Sequence, residues 1–426
     1  MLTRRVFLRG SAIVAAGMGV APGWLTRALA SEGRKRKTLV AIFMRGAADG
    51  LSIVAPFGDK RYRELRPTLA VAPPVGQGNS NGPAGGPIGG SIDLDGTFAL
   101  NGAMQSLKPL WDKRQLAIVE ATGSPDPSRS HFDAQDSMES GTPGKTGGNG
   151  WLNRALPAGG EGGSAVRAVA LTNQVPRTLR GEHEAIVVNN LDQFKLGDQD
   201  SASILQAMYA KTPDLSLGRA GKDAFDAIKV IQSIQSGPQN VPGSVSGFAG
   251  PAGLAVPQFA QGGELARSLQ QLGRLIKAEA GVEAAFAEIG GWDHHSNENQ
   301  QLSNLLRQFS NAIGAFCQDM GDRMEDIVLV TMSEFGRTAQ ENGNAGTDHG
   351  HGSFMMVIGG PVQGGKVYGK WPGLEKEQLF EGRDLAVTTD YRAVLSELVS
   401  GHLGQKDLNT IFPGFQSGEP LGLLRS

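Results

Sequence analysis

Several features that define common classes of protein are scarce in this sequence. Its 426 residues include a single cysteine, Cys317, so no disulfide bond can form within the chain. The formal net charge is only −2. A chain this close to neutral has no broad field to attract nucleic acid or an anionic membrane surface, and we expect neither as a partner.

Histidine is also scarce, and its distribution is uneven. Five of the seven histidines lie within a few residues of an aspartate. They are His131, His294, His295, His349 and His351, near Asp133, Asp293 and Asp348. Because imidazole and carboxylate groups bind metals and transfer protons, this clustering predicts a functional site.

The first thirty residues predict an export signal, not a part of the fold. Arg4 and Arg5 lie in TRRVFLRG, a weakly apolar run follows at 11–20, and Ala28-Leu29-Ala30 fits a cleavage site. The apolar run is too short to span a bilayer. We expect the twin-arginine translocase, as a transient partner, to export the protein to the periplasm or the exterior. The alternatives are a membrane anchor or a chance pair of arginines.

Short apolar segments alternate with amphipathic helical segments along most of the chain. The main strands are predicted at 38–44, 116–121, 281–289, 327–332 and 354–358, and the longest helices at 264–280 and 302–324. This alternation is typical of an α/β fold with a mostly parallel central sheet and helices on both faces. Stretches rich in glycine and proline near 73–90 and 237–263 predict surface loops.

Polar motifs follow directly after several of these strands. Asp49 follows the first strand, Ser130 lies in the loop after the second, Asp293 follows the third and Glu334 follows the fourth. Ligands bind at the carboxyl ends of the strands in sheets of this kind. We therefore expect one shared site, completed by the polar segment that precedes the last strand.

The residue types in these motifs indicate a site for one or two divalent metal ions. Imidazole with carboxylate suits zinc, manganese or iron, and oxygen ligands alone suit magnesium or calcium. We expect zinc, manganese or calcium, and two ions would clamp a phosphate or sulfate ester between them. The predicted metal ligands are Asp49, Asp293, His294, His295, Glu334, Asp348, His349 and His351. Three of them are adjacent, at 293–295, so one is expected to support the others.

A serine nucleophile is the second element of the predicted site. Ser130, with Ser128 as its competitor, lies in a loop after a strand, beside Arg129 and His131. We expect Ser130, Arg129 and His131 to be catalytic. The arginines that could hold oxyanion charge are Arg45, Arg129 and Arg337, although Arg337 could instead pair with Glu334.

At these motifs the chain resembles DUF1501, a family of exported bacterial proteins. The matching segments, in the family's order, are FMRGAADGLSIVAP, SHFDAQDSMESG, GGWDHH, MSEFGRT, GTDHGHGSFMMVIGG with GGKVYG, and DYRAVLSELV. The family is grouped with the alkaline phosphatases and sulfatases. The resemblance therefore implies an alkaline phosphatase-like fold, with residues 31–426 as one domain, and an ester hydrolase site with one or two metal ions.

The same resemblance implies roles for particular metal ligands. Asp49 is similar to the first metal-binding aspartate of that superfamily. Asp293 with His294 or His295 is similar to its Asp and His pair, and His349 or His351 to its last metal-binding histidine. Glu334-Phe335 stands where the superfamily usually has Asp-His, so a carboxylate is kept there and an imidazole is lost.

The nucleophile is less well matched. Pro127-Ser128-Arg129 resembles the end of the sulfatase motif, but Pro125 occupies the position of its nucleophilic Cys or Ser. Cys317 lies in a distant helical segment, which excludes a formylglycine sulfatase. Ser130 is then the serine most similar to a superfamily nucleophile.

Two functions are consistent with these patterns. The first is an exported, metal-dependent hydrolase that acts on a phosphate or sulfate ester, either a small molecule or a polymer. The second is a periplasmic protein that binds a metal or another ligand without catalysis and retains a degenerate hydrolase site.

Changing Arg4 and Arg5 together to lysine should block export, because the translocase reads the arginine pair as an address. We expect the precursor to accumulate in the cytoplasm, as measured by cell fractionation and immunoblotting. Arg9→Lys, in the same segment, is the matched control and should be exported normally. Normal export of the double variant would reject twin-arginine routing.

Overall fold

The strands in the part of the chain that the structure describes belong to one large sheet and one small sheet. The computed structural model describes residues 36–74, 90–145, 148–157, 164–188, 190–191, 206–209, 211, 221–222, 225–232 and 259–425. In these ranges the strands are β1 Thr38–Met44, β2 Val54–Ala55, β3 Ile92–Asp93, β4 Ala99–Leu100, β5 Leu116–Gly123, β6 Ala168–Ala170, β7 Ile186–Val187, β8 Ala284–Ile289, β9 Ile327–Met332, β10 Ser353–Gly359, β11 Lys366–Tyr368 and β12 Thr389–Asp390.

The large sheet is mostly parallel. Its order within the described ranges is β11-β5-β10-β9-β1-β8-β6-β7, and β12 also pairs with β5. β10 is antiparallel to both of its neighbours, β5 and β9, and the other pairs are parallel. The small sheet, in the order β2-β4-β3, is antiparallel.

Helices cover both faces of the large sheet. The α-helices whose bounds lie within the described ranges are α1 Gly50–Ile53, α2 Lys60–Leu65, α3 Lys108–Asp112, α4 His131–Ser140, α5 Trp151–Arg154, α6 Gly263–Lys277, α7 Glu298–Met320, α8 Tyr391–Gly401 and α9 Leu408–Ile411. Residues 206–209 and 225–232 are also helical. The 3₁₀-helical segments with bounds in the described part of the chain are Gly102–Leu107, Arg177–Leu179, Phe259–Gln261 and Gly321–Asp326.

The alternation of side chains along β1 shows how the sheet separates two cores. Val40 and Ile42 face a core shared with α6 and α7, whereas Leu39 and Phe43 face a core shared with α8. All seven residues of β1 are buried, which is typical of a parallel strand covered on both sides. The predicted α/β class, with a mostly parallel sheet and helices on both faces, is confirmed.

Element bounds differ from the predictions where the apolar pattern ends before the element does. β1 and β9 have the predicted bounds. α7 begins four residues before the predicted 302, because its first turn, Glu298-Asn299-Gln300-Gln301, is polar and shows no helical periodicity. It ends at Met320, since 3₁₀ structure follows over Gly321–Asp326.

Some predictions fall outside the described residues. The export signal at 1–30 lies there entirely, and so do 75–89 and 237–258, which make up most of the two predicted loops. Within the described ranges, every helix is too short or too polar to span a bilayer.

His402 is a buried histidine remote from the five discussed above. It is the C-terminal cap of α8, and its Nε2 donates to the carbonyl oxygen of Thr38, at the start of β1, over 3.1 Å. Burial lowers the pKa of His402 to about 4, so the ring is neutral in the folded protein near pH 7. It joins the last long helix to the central strand.

The folded protein should therefore become less stable on mild acidification. The unfolded chain binds a proton at His402 near pH 6.5, whereas the folded chain does so only near pH 4, so stability falls as the pH drops through this window. The full contribution is about 3 kcal/mol. His402→Gln keeps an N–H donor but cannot titrate, and its chemical denaturation midpoint should change less than the wild-type midpoint between pH 7 and pH 5. Equal changes in the two proteins would contradict the assignment.

Candidate metal centre

Loops from five strands meet at one edge of the large sheet. β1, β5, β8 and β9 run in the same direction, so their carboxyl ends lie together, and the antiparallel β10 begins at that edge. The segments that follow or precede these strands carry His131, Asp293, His295, Glu334 and His349. The direction of β10 therefore brings the segment before it to the same edge as the loops after the parallel strands.

Three imidazoles and one carboxylate converge at this edge. Nε2 of His349 lies 3.1 Å from Nε2 of His131 and 3.1 Å from Nε2 of His295. Oδ1 of Asp293 lies 2.9 Å from Nε2 of His295 and 3.3 Å from Nε2 of His349. Oδ2 of Asp293 lies 3.6 Å from Nε2 of His131. We call His131, Asp293, His295 and His349 the His–Asp cluster.

The other ring nitrogen of each histidine in the cluster has an oxygen acceptor. The acceptors are Glu334 Oε1 for His131 at 2.9 Å, Asp348 Oδ1 for His295 at 3.0 Å, and the carbonyl of Arg129 for His349 at 3.0 Å. Carboxylate and carbonyl oxygens only accept, so each Nδ1 carries the proton. With the proton on Nδ1, a neutral ring in this position would present its Nε2 lone pair to the centre of the cluster, as metal-binding histidines do.

The spacing and chemistry of the cluster fit a divalent metal ion. Tetrahedral ligands about 2.0–2.1 Å from a zinc ion lie about 3.3 Å apart, which is close to the distances within the cluster. Ligand atoms of His131, Asp293 and His349 all lie within 4.8 Å of one another, and His295 joins them through His349. The side chains of Asp293 and His295 are each 46% exposed, so the cluster is open on one side.

Glu334 supports His131 and does not face the cluster. Its Oε1 accepts from Nδ1 of His131, from Gln135 and from the backbone N–H of Gly46, each at 2.9 Å. Burial alone would raise the pKa of Glu334, but these hydrogen bonds outweigh it and lower the pKa. The same hydrogen bond raises the pKa of His131. Glu334, a predicted metal ligand, is thus placed where its carboxylate orients the imidazole of His131.

Gln135 is a residue of the site that the sequence analysis missed. It lies one helical turn after His131 on α4, and its side chain donates to Glu334 and accepts from Arg45 at 3.0 Å. Residues four apart lie on the same face of a helix. A helix beginning at His131 therefore predicts that Gln135 and His131 share partners.

Asp348 has a similar supporting position. Its Oδ1 accepts from Nδ1 of His295, and this hydrogen bond lowers the pKa of Asp348. Asn342 also donates to the same oxygen, at 3.3 Å. The structure therefore places Asp348, a predicted ligand, behind the imidazole of His295 and not among the converging atoms.

His294 and His351 are not brought to the cluster either. The ring of His351 stacks on Phe380, with centroids 4.4 Å apart, and the ring of His294 is hydrogen-bonded to the backbone of Gly291. Burial lowers the pKa of both histidines. His349 and His351 are two residues apart and would face the same way in an extended segment, but the chain bends at His351.

Asp49 is held by a cation of the protein itself. It is buried at the start of α1, and both of its carboxylate oxygens accept from the guanidinium of Arg66, one of them at 2.9 Å. Burial would raise the pKa of Asp49, but the charge of Arg66 lowers it to about 2. Arg66 satisfies the carboxylate that was predicted to bind a metal. Arg66 lies directly after α2, and no sequence signal marked it as the partner.

The predicted nucleophile has a structural role at the start of a helix. Ser130 is the N-terminal cap of α4, and its Oγ accepts from the backbone N–H of Asp133 at 3.5 Å. Its own N–H donates to Ser128 Oγ at 3.2 Å. Among the described residues, neither of these contacts involves the His–Asp cluster. The structure therefore brings His131 to the cluster and leaves the adjacent serine at its edge.

The arginines predicted to hold oxyanion charge are all paired with carboxylates of the protein. Arg45 binds Glu139 and Glu288, and Arg129 binds Asp384 and Glu381. Arg337 binds Asp293 through Nη2 over 2.5 Å, and not Glu334 as the alternative prediction had it. Partial burial would raise the pKa of Asp293, but Arg337 lowers it.

The turn after β1 requires glycine at position 46. Gly46 has φ +117°, and a Cβ there would lie 2.8 Å from the backbone nitrogen of Asp293. Ala47 follows with φ 62°, in the left-handed region. This turn directs the N–H of Gly46 to Glu334 and two carbonyls to Arg337. It therefore positions the supports of both His131 and Asp293.

Comparisons with known proteins bear on the family and not on the chemistry of the cluster. The sequence matches the family described as "Protein of unknown function (DUF1501)" over residues 111–406, a range that contains the whole cluster but not Asp49. No curated protein matches it.

The solved structures that are similar to this chain include the following two. One, described as a protein in the alkaline phosphatase superfamily from Vibrio parahaemolyticus, is 10% identical with a TM-score of 0.32 over 78% of this chain. The match spans only 62% of that protein. The other, an alkaline phosphatase from the Antarctic bacterium TAB5, is 10% identical with a TM-score of 0.30 over 78% of this chain and 93% of that one.

Glu334→Ala should weaken binding of zinc by about 10–100-fold, because the variant loses the acceptor that orients His131. The affinity is measured by competition with a chromophoric chelator. Glu325→Ala is the matched control, since Glu325 is exposed and precedes β9 at the opposite edge of the sheet. An affinity for Glu334→Ala equal to that of the control would contradict the role assigned to Glu334.

Proposed function

The chain belongs to the DUF1501 family, and we propose that it is a divalent-metal protein whose metal centre hydrolyses a phosphate or sulfate ester. The observation that carries the proposal is the hydrogen bonding of three histidines. Each donates from Nδ1 to a fixed oxygen, so three Nε2 lone pairs converge beside the carboxylate of Asp293. Without a cation, these lone pairs and the negative charge would face one another at about 3 Å.

The donor set decides which of the expected ions is suitable. Three imidazole nitrogens and one carboxylate suit zinc or manganese. Calcium prefers six to eight oxygen ligands, so it fits this centre poorly. We propose zinc or manganese, held by His131, Asp293, His295 and His349.

The residues of the chain would divide the work as follows. When bound, the ion would supply Lewis acidity toward an ester oxygen and toward an attacking water. Glu334, Asp348 and the carbonyl of Arg129 hold the three imidazoles in place. Asp293 and His295 form the solvent side, where a small or polymeric ester would approach. Since Ser130 Oγ serves as a helix cap, we assign attack to water and not to serine.

Location outside the cytoplasm is part of the same proposal. It is supported by the arginine pair, apolar run and cleavage site in order at the N-terminus. Export by the twin-arginine translocase follows folding in the cytoplasm, so the metal could be acquired before the protein crosses the membrane.

A second candidate function is metal or ligand binding without catalysis. It is favoured by the closure of the ligand set: four protein ligands complete a tetrahedron, which is typical of structural zinc sites, whereas catalytic sites keep an open position. It is also favoured by Arg129 and Ser130, which are both engaged in contacts with the protein itself.

Replacing one metal ligand tests the role of the metal separately from the fold. His349→Ala should lose both the metal, measured by elemental analysis of protein purified without added metal or chelator, and turnover of an aryl phosphate or aryl sulfate. The expected fall in turnover is several orders of magnitude if an enzyme depends on that metal. His183→Ala, a histidine outside the cluster, is the control and should keep both.

Ser130→Ala tests the nucleophile in the same assays. Because a capping hydroxyl contributes only about 1 kcal/mol to stability, the variant should be folded, bind metal and retain turnover within a few-fold of wild type. A loss of turnover by orders of magnitude, with metal retained, would restore serine as the nucleophile. If the wild-type protein binds metal but shows no turnover, the second candidate function, binding without catalysis, is favoured.

A further inference from the structure

Arg337 is a fully buried cation beside a cluster that itself fits a cation. Its side chain is 0% exposed, although an arginine is rarely buried without satisfied donors. Nε donates to the carbonyl of Ala47 at 2.9 Å, and Nη1 donates to the carbonyl of Thr347 at 3.2 Å. Nη2 donates to the carbonyls of Gly46 at 3.1 Å and Trp292 at 3.2 Å.

The guanidinium also shares an atom with the cluster. Oδ1 of Asp293 accepts from Nη2 of Arg337 at 2.5 Å, and the same oxygen lies 2.9 Å from Nε2 of His295. Nη1 of Arg337 lies 3.5 Å from that nitrogen, the outer limit of a hydrogen bond, so the lone pair of His295 is not committed to it. Asp293 is therefore positioned between the guanidinium and the centre of the cluster.

The pocket around the guanidinium has the character of a site for a hard cation. Four carbonyl oxygens and one carboxylate oxygen line it, and oxygen ligands of these two kinds are those that hold calcium and similar ions. Arginine stays protonated under all ordinary conditions. A permanent positive charge thus fills a pocket whose hydrogen-bond acceptors within 3.2 Å are all oxygen atoms.

We propose that Arg337 is a resident cation in the position of a second metal ion, so that the centre binds one ion and not two. The inference rests on the proposed metal centre. Asp293 would bridge the bound ion and the guanidinium through one carboxylate, and its charge would be shared between them. Because every described donor contact of Arg337 is to the protein, it is a positioning residue and does not itself bind the substrate.

Metal stoichiometry tests this inference without relying on activity. The wild-type protein is titrated with Mn²⁺ and with Co²⁺, the latter followed by visible absorption, and bound metal is quantified by elemental analysis. We expect saturation at one equivalent. Saturation at two equivalents in the wild type would overturn the proposal without any variant, and no binding at all would overturn the metal centre on which it rests.

Two variants of Arg337 then distinguish the effect of its charge from the effect of its packing. Arg337→Lys keeps the positive charge and should still bind one equivalent. Arg337→Gln removes the charge and leaves the oxygen-lined pocket, so it should bind a second equivalent of Mn²⁺. Guanidinium added to Arg337→Gln should displace that second equivalent. The control is Arg323→Ala, at an exposed arginine before β9. It should bind one equivalent of metal, as the wild type does.

The variant results are decisive in both directions. One equivalent in a folded Arg337→Gln, with no effect of guanidinium, would mean that Arg337 only stabilises the loops, and would overturn the proposal. If Arg337→Gln does not fold in buffer but folds when Mn²⁺ or guanidinium is added, the requirement for a cation in that pocket is supported. If neither addition restores folding, the pocket does not accept a free cation and the proposal fails.

Discussion

The candidate site depends on the proton at Nδ1 of each histidine in the His–Asp cluster. An imidazole with an uncommitted Nδ1 can flip or change tautomer, and then its Nε2 is as often a donor as an acceptor. Here a carboxylate or carbonyl oxygen fixes the proton in all three rings. The acceptors come from three different segments of the chain, so the whole edge of the sheet must fold before any of the lone pairs converge.

Charge pairing explains why some predicted ligands are absent from the cluster. The carboxylates at this edge fall into two groups: those whose partner is a guanidinium and those whose partner is an imidazole. The guanidinium pairs are Asp49 with Arg66, Asp384 with Arg129, and Asp293 with Arg337. Among the residues that the structure describes, only Asp293 belongs to both groups, because it also contacts the histidines. A buried carboxylate bound at both oxygens by arginine has no remaining need for a metal ion.

The fold was predictable because its signals are local. Runs such as TLVAIFM at 38–44 are short, apolar and bounded by polar sequence, and they formed the strands that they predicted. The direction of β10 was not predictable in the same way, since strand polarity depends on which neighbour it joins. The convergence of the loops was nevertheless expected, because strands of one sheet place their polar ends at common edges.

At the start of α4, the residue predicted to act in the site and the residue that the structure places there are neighbours in the sequence. Ser130 and His131 are adjacent, and only the start of α4 decides that the first caps the helix while the second faces the cluster. A serine followed three residues later by Asp133 resembles a capping box, so the sequence did contain this signal. The position of Asp49 differs for another reason. Its partner Arg66 lies directly after α2, and that contact depends on how this segment packs, which no local pattern encodes.

Whether the centre is catalytic or only binds a metal depends on its weakest ligand. A metal ion bound by all four residues of the cluster would leave no position for a substrate unless its coordination number rose or one ligand withdrew. Asp293 is the ligand most able to withdraw, because Arg337 already compensates its charge at 2.5 Å and it is 46% exposed. The three histidines have no such alternative partner for Nε2 of comparable strength among the described residues. Stronger pairing between Arg337 and Asp293 therefore favours an open, catalytic position, and weaker pairing favours a closed site.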